Sequence, residues 1–248
     1  MTLLQKIRQM GNYMRIGLAT LALTTTAFAD DIFKGCKGST DIQMDARAGY
    51  ICNDKGIETI TNTLIMKYWA DANSFWAFTI TPYKFTNETS GTGDMTIGAG
   101  PRIVQMGGKL NLLPYVGANL PTGQLGNSRF DEIIGLLGTY KTIDNRFEAD
   151  LAAQYTFAGK KNSAEQPNEF YFGAMAGGGS AKLRGVGGFT HLKRNNGDYL
   201  TKLRAVGRYT FSKNWHVELA LEKGIASKNI AKESSVSIYI RWNIPNKK

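Results

Sequence analysis

The chain has 248 residues, of which 42% are hydrophobic and 11% aromatic, with 28 Gly against 6 Pro. It contains no run of about 18 apolar residues, which excludes a transmembrane helix and leaves a strand as the only element that could span a bilayer. The formal net charge of +10 comes from basic residues spread along the chain. This distribution does not favour nucleic-acid binding and leaves anionic lipopolysaccharide as an expected partner.

Residues 1–29 have the features of a secretory signal peptide. Lys6, Arg8 and Arg15 form a basic region, an apolar stretch follows at residues 16–23, and Ala-Phe-Ala at 27–29 is a small-x-small cleavage site. The alternative, a membrane anchor, would need a longer apolar core. We expect cleavage after Ala29, which removes three cations and no acids and so lowers the net charge of the exported chain from +10 to +7.

Residues 30–57 form a distinct N-terminal segment in this prediction, either a plug or the first strand of the fold. The segment contains Cys36 and Cys52, which we expect to pair because disulfides persist in the compartments that exported proteins reach. The bridge would stabilise the chain by roughly 3 kcal/mol in the chain-entropy model. A metal site is the alternative, but no His lies in the segment to complete a ligand set.

Most of residues 58–248 alternate between apolar and polar side chains with period two, which is typical of strands that have two different faces. Many of these strands reach the length of about nine to eleven residues that a tilted membrane strand requires. Eleven strands are predicted, at 60–69, 75–86, 93–106, 109–120, 130–141, 146–158, 168–177, 181–192, 198–211, 214–223 and 233–243.

A twelfth strand at Ile42–Cys52 would give the even number usual in bacterial barrels, whereas a single bent unit around Gly177–Gly188 would reduce the count to ten. Short and long connections alternate along most of the chain, and aromatic residues lie near strand ends, as in membrane barrels. The alternative is a soluble sandwich. We predict an all-β fold, a single antiparallel transmembrane β-barrel of about 12 strands.

The final strand illustrates the two faces. Val236, Ile238, Ile240 and Trp242 share one face, while Tyr239 and Arg241 lie on the other. If the apolar face contacts lipid, the polar face lines the lumen. The charged residues predicted there are Arg102, Arg146, Glu148, Asp150, Glu169, Lys182, Arg184, Lys202, Arg204, Arg208, Glu218, Glu222 and Arg241. They could form a structural network of ion pairs or a slightly basic constriction that selects solutes, and the two roles are compatible.

Two short motifs carry a family resemblance. Gly-Asp-Met-Thr-Ile-Gly-Ala-Gly at 93–100 is followed by a strand that closes with Leu-Pro-Thr-Gly at 120–123. This order resembles the outer-membrane barrels named after the meta-pathway of phenol degradation. The resemblance, from about Glu58 onward, implies a barrel that passes small, often hydrophobic or aromatic, molecules. Two features depart from that family: the Cys36–Cys52 segment, and residues 243–248, which follow Trp242 where an aromatic end would be expected.

The leading functional hypothesis is therefore an outer-membrane channel for passive uptake of small molecules, without cofactor or metal. A closed barrel with a structural or surface-interaction role is the second hypothesis. The third is a lipid-modifying enzyme, for which the candidates would be the two histidines, His191 and His216, the latter on one face with Glu218. Expected partners are outer-membrane lipid, lipopolysaccharide, the barrel assembly machinery and a small solute, with the oligomeric state open.

Overall fold

The structure is a computed structural model and describes residues 41–54, 58–69, 74–86, 89–126, 129–142, 146–160, 164–212 and 214–245. The predicted signal peptide and Cys36 lie outside these residues. Cys52 lies within β1, half-buried, so the disulfide with Cys36 stays a prediction. None of the described helices is long and apolar enough to cross a membrane.

Twelve antiparallel strands form one closed barrel, in which each strand pairs with the next and the last pairs with the first. This confirms the predicted fold. The strands are β1 Asp41–Asn53, β2 Glu58–Trp69, β3 Phe75–Thr86, β4 in three segments (Ser90–Thr92, Met95–Pro101 and Ile103–Gln105), β5 Leu110–Leu120, β6 Asp131–Lys141, β7 Phe147–Phe157, β8 Glu169–Gly179, β9 Leu183–Arg194, β10 Tyr199–Thr210, β11 Trp215–Lys228 and β12 Glu233–Pro245.

The barrel closes through β1, whose thirteen residues pair with β12 from Asp41↔Pro245 to Asn53↔Glu233. Residues 41–53 are thus a wall strand rather than a plug, and the barrel includes residues before 58. The physical reason is that a membrane barrel leaves no open edge, because unpaired backbone groups in lipid cost several kcal/mol each. The ten-strand alternative is wrong, since β8 and β9 pair as two separate strands.

The hairpin of β4 and β5 contains an interruption that divides β4 into segments. Pairing between β4 and β5 runs to Ala99↔Val116 and resumes at Ile103↔Leu112. Pro101 and Pro114 lie in the gap, and neither has a backbone N–H to donate to the ladder. The two prolines therefore account for the break in the wall.

The two ends of the barrel differ. One end, which we call the turn rim, carries the chain ends of β1 and β12 and the short connections 70–74, 106–109, 142–146, 180–182 and 211–214. The other end, the loop rim, carries the remaining connections, including the two longest, 121–130 and 158–168. Bacterial barrels place short turns in the periplasm and long loops outside the cell, so we expect the loop rim to be the external end.

The inner and outer faces of the wall have opposite chemistry. On β10, Arg204 and Arg208 are buried at 4% exposure, while Leu203 and Tyr209, which flank them in sequence, are about half exposed on the outside. Trp215 and Trp242 stack outside the turn rim, with ring centroids 5.5 Å apart. An outer surface with this many exposed apolar side chains is typical of a barrel that contacts lipid rather than water. This observation argues against the alternative of a soluble β-sandwich.

Candidate functional site

A belt of ion pairs lines the interior just inside the turn rim. Asp45 on β1 contacts Lys67 Nζ on β2 at 2.6 Å and Arg241 Nε on β12 at 2.7 Å. Arg241 also lies 3.6 Å from Glu218 on β11, which in turn pairs with Arg208 on β10. Adjacent strands therefore contribute charges that largely alternate in sign, as buried charges require.

The belt continues on β9, β7 and β6. Arg184 Nη1 lies 2.5 Å from Glu148 Oε2, and Lys141 Nζ lies 3.6 Å from the same oxygen. Arg184 reaches Glu148 across β8 because that strand presents glycine there, with Gly177 opposite Glu148. A Cβ at Gly177 would overlap the backbone carbonyl of Gly185. We call these eight residues, which lie on β1, β2, β6, β7 and β9–β12, the rim belt: Lys67, Asp45, Arg241, Glu218, Arg208, Arg184, Glu148 and Lys141.

A second charged group, the upper cluster, lies nearer the loop rim on β10–β12. Glu222 accepts from Arg204 at 2.8 Å and from Ser235 Oγ at 3.2 Å, and it lies 3.7 Å from Lys202. Lys202 also contacts Glu233 at 2.7 Å. The cluster thus holds both cations against carboxylates on β11 and β12.

Arg47 and Tyr239 extend the upper cluster onto β1 and β12. The Arg47 guanidinium lies 4.5 Å from the centroid of the Tyr239 ring and donates to Ser237 Oγ at 3.0 Å. Arg204 Nη2 lies 3.4 Å from the Tyr239 hydroxyl. A cation over an aromatic face is attracted by the ring quadrupole, by about 0.5–2 kcal/mol depending on desolvation, so the ring stabilises a buried guanidinium.

The opposite side of the interior is apolar. Trp76 and Phe78 on β3 stack at 5.1 Å, and Tyr115 on β5 meets both rings edge-on at 5.7 and 5.6 Å. We call this surface the aromatic wall; the other buried residues that pack with these three are Ile65, Ile80, Leu113, Ile133, Leu137 and Ala152. It lies on β2, β3 and β5–β7.

Glycines on the neighbouring strands let these rings lie flat on the wall. A Cβ at Gly98 would overlap the Phe78 ring, and a Cβ at Gly135 would overlap the Tyr115 ring. The Tyr115 hydroxyl donates to Gln154 Oε1 at 2.7 Å. The rings are therefore fixed in position by backbone contact and by one hydrogen bond.

The aromatic wall and the charged strands face each other, because β3 and β5 lie about six strands from β9 and β11 around a twelve-strand ring. Tyr171 on β8 links the two sides. It packs against the aromatic wall, bonds to Thr190, and lies within electrostatic range of Arg204 and Glu222. Apart from the rim-belt residues on β2, β6 and β7, the interior thus offers an apolar surface on one side and the charges of β9–β12 on the other.

Most of the predicted lumen residues are buried on the inner face. These are Arg102, Glu148, Asp150, Lys202, Arg204, Arg208, Glu218, Glu222 and Arg241, with Arg184 half-buried beside them. Asp150 accepts from Thr139 Oγ1 at 2.5 Å. Glu169, half-buried near the loop rim, pairs with Arg194 at 2.8 Å. Whether any of these residues selects a solute stays a prediction.

Arg146 and Lys182 were predicted in the lumen but lie elsewhere. Both are exposed in connections at the turn rim, because β7 begins at Phe147 and β9 at Leu183. The sequence prediction missed three inner-face residues, Asp45, Arg47 and Lys67. Asp45 and Arg47 lie on β1, and Lys67 lies on β2, a strand whose two faces were not assigned from the sequence. The signal available in the sequence was a charged residue that alternates with apolar residues along a strand.

The two histidines lie on different faces. His216, on the inner face at the turn rim, contacts Thr210 Oγ1 through Nδ1 at 2.8 Å and Asn243 through Nε2 at 3.2 Å. His191 lies on the outer face and stacks on Tyr199 at 6.0 Å. Among the residues that the structure describes, no group of three or more His, Cys, Asp or Glu side chains could hold a metal ion.

The two motifs noted in the sequence meet at the loop rim. Met95 N donates to Thr122 Oγ1 at 3.1 Å, and Gly123 N donates to Asp94 Oδ1 at 3.3 Å. Leu125 N donates to the Thr92 carbonyl at 2.8 Å. These contacts, which we call the clasp, hold residues 122–125 of the long connection after β5 against β4. The close approach of the two segments requires glycine, since a Cβ at Gly123 would overlap backbone atoms.

Comparisons with known proteins agree with this architecture. Residues 41–240 match the model of a family described as putative MetA-pathway of phenol degradation. An outer membrane channel from Pseudomonas putida F1 superposes with a TM-score of 0.73 at 14% identity, covering 88% of this chain and 100% of its own.

Two further solved structures share the fold. NanC porin has a TM-score of 0.59 at 12% identity, covering 80% of this chain and 98% of its own, and KdgM porin has a TM-score of 0.56 at 11% identity, covering 81% and 98%. No curated protein sequence matches the chain. The family match spans most of the chain and includes both halves of the clasp, as the resemblance predicted. The chain belongs to the family described as putative MetA-pathway of phenol degradation.

Proposed function

We propose that the protein is an outer-membrane channel for the passive uptake of small molecules that have a hydrophobic or aromatic surface. The observation that carries the proposal is the aromatic wall, in which Trp76, Phe78 and Tyr115 line one side of the barrel interior. The family and the fold, shared with channels and porins, support a transport role.

An apolar interior surface favours such solutes for a physical reason. Aromatic pairs contribute about 0.5–1.5 kcal/mol beyond the burial of their area, so a solute ring that reaches Phe78 gains from contact that a sugar or an ion does not. Conduction needs binding that is favourable enough to enter but weak enough to leave. A few aromatic contacts of this size meet both conditions.

The rim belt has a different role in this proposal. Its charges pair with one another along the wall, as Asp45 does with Lys67 and Arg241. Pairing offsets part of the cost of burying them, and the belt keeps two more cations than carboxylates. The belt would then shape the passage at the periplasmic end, while the aromatic wall supplies the preference for hydrophobic solutes.

The proposal is tested by recording single channels in planar bilayers and adding an aromatic solute such as phenol. We expect brief blockades of the ion current, with lifetimes that shorten by about threefold to tenfold in Phe78→Leu, since that change removes one aromatic contact. Phe75→Leu is the matched control, because Phe75 is 48% exposed on the outer face. Equal lifetimes in both variants and the unchanged protein would contradict an aromatic route.

A closed barrel with a structural or surface-interaction role is the second candidate. One observation favours it: Trp76, Asp45, Lys67 and Arg241 on the inner face are at most 1% exposed. A barrel that stays silent in planar bilayers, with no change in liposome swelling for small solutes, would establish this alternative and refute the channel.

A further inference from the structure

Charged residues on the outer face of the wall are few and unevenly placed. Among the strand residues that the structure describes, the outer face carries three cations, Lys193, Lys223 and Lys228. All three lie on β9 and β11, toward the loop rim. The acids on the outer face of the described strands are Glu58 on β2 and Glu132 on β6, away from the lysines. The external end of β9–β11 is therefore a basic sector.

Strand pairing places these lysines beside an aromatic side chain. Lys193 on β9 is opposite Tyr199 on β10, and Tyr199 is opposite Lys228 on β11. Because neighbouring strands lie about 4.8 Å apart, the backbones of the two lysines are roughly 10 Å from each other. Both side chains can therefore reach one group that lies between them. His191, one position lower on the same face, stacks on Tyr199. We call these five residues the basic face: His191, Lys193, Tyr199, Lys223 and Lys228.

The height of the basic face matches the external edge of the membrane. With a rise of about 3.3 Å per residue and a tilt near 40°, Lys223 lies about 20 Å above Trp215 and Lys228 roughly 30 Å above it. The apolar band of such barrels is about 25 Å tall. The lysines thus bracket the level of the lipid headgroups, where long side chains extend toward the polar layer.

The local charge balance on this face stays positive. Among the described residues, Lys193, Lys223 and Lys228 make no ion pair within 4.0 Å. Asp198, an acid in the connection between β9 and β10 that interacts with Lys228, accepts from Asn196 at 2.7 Å and Asn229 at 2.9 Å. Those hydrogen bonds, followed by the charges of Arg194 and Lys228, hold the pKa of Asp198 below its usual range. One carboxylate beside three lysines leaves an excess of cations.

We propose that the basic face binds a phosphorylated glycolipid headgroup of the external leaflet, the lipid A part of lipopolysaccharide. Lysine ammonium groups bind phosphate as point charges, and Tyr199 and His191 can donate hydrogen bonds from the same level. The acyl chains of the lipid would lie along the apolar outer surface below, where Leu203, Leu219 and Leu221 are exposed. The site is independent of what passes through the lumen.

The experiment is a titration of the purified full-length protein with bis-phosphorylated lipid A, followed by native mass spectrometry. Each lysine near a charged lipid surface contributes about fivefold to affinity, so Lys193→Gln, Lys223→Gln and Lys228→Gln together should weaken binding on the order of a hundredfold. The matched control replaces three lysines outside the basic face, as Lys109→Gln, Lys160→Gln and Lys182→Gln, and should bind as the unchanged protein does.

Titrations with two other lipids identify the chemical group that is bound. Lipid A without its phosphates should bind as weakly as the triple variant, and phosphatidylglycerol should bind more weakly than lipid A, since it offers one phosphate. If the triple variant does not fold, the three single variants replace it, each with about a fivefold loss. Unchanged affinity in the variants, an equal loss in the control, or equal binding of phosphatidylglycerol would overturn the proposal.

Discussion

Removing the carboxylate of Asp45 is the sharpest perturbation of the rim belt. Asp45 is fully buried and accepts from Lys67 Nζ at 2.6 Å and from Arg241 at 2.7 and 3.1 Å. Asp45→Asn keeps the shape of the side chain but takes its negative charge away from two buried cations. Loss of one partner from a buried pair costs about 3–5 kcal/mol, and we expect the free energy of unfolding to fall by that amount.

The assay is equilibrium unfolding in urea of the barrel reconstituted in lipid vesicles, followed by tryptophan fluorescence. Glu165→Gln is the control, since Glu165 pairs with Lys160 at 3.9 Å with 87% of its side chain exposed, and such pairs contribute about 0–1 kcal/mol. A double-mutant cycle with Arg241→Gln should give a coupling energy of roughly 1–3 kcal/mol. If Asp45→Asn costs no more than Glu165→Gln, the rim belt does not stabilise the barrel as argued.

Two further predictions concern glycine and the clasp. Gly177→Ala should destabilise the barrel by about 1–3 kcal/mol in the same unfolding assay, because its Cβ overlaps the backbone of β9, whereas Gly185→Ala, which meets nothing within 4 Å, should be nearly neutral; equal effects would contradict the packing. Asp94→Asn weakens the acceptor that holds Gly123 N and should speed proteolysis within 121–130 severalfold, while Glu132→Gln should not; identical cleavage rates would show that the clasp does not hold the loop.

The sequence was most informative on β10, β11 and β12. Their inner face is charged and their outer face apolar, as Arg204 beside Leu203 illustrates, so the period-two pattern identified both the strands and the lumen side. The carboxylates that pair with Arg204 and Arg208 were also on the predicted face. Alternation is visible only when the two faces differ in chemistry.

The aromatic wall could not be predicted in this way. On β3, Trp76 and Phe78 face inward while Phe75 faces lipid, and both faces are apolar, so no alternation separates them. The interior position of these rings depends on glycines of neighbouring strands, such as Gly98 on β4 and Gly135 on β6. That relation is set by strand register, which a single sequence does not reveal.

The clasp and the closing strand depend on long-range contacts. Asp94 and Gly123 are 29 residues apart in sequence, and the motifs that contain them were recognised only through the family resemblance. β1 pairs with β12, and the hydrogen-bonded side chains of Arg47 and Ser237 on these two strands are 190 residues apart in sequence. Local pattern predicts that such strands exist but not which partner each one takes.

The central claim, passage of hydrophobic or aromatic solutes, is tested most directly by solute entry into vesicles whose outer leaflet is lipopolysaccharide, with and without the protein. The account predicts that the barrel speeds the entry of phenol well above the protein-free rate and speeds that of a hydrophilic sugar of similar size far less. Phenol entry equal to that of protein-free vesicles would contradict it.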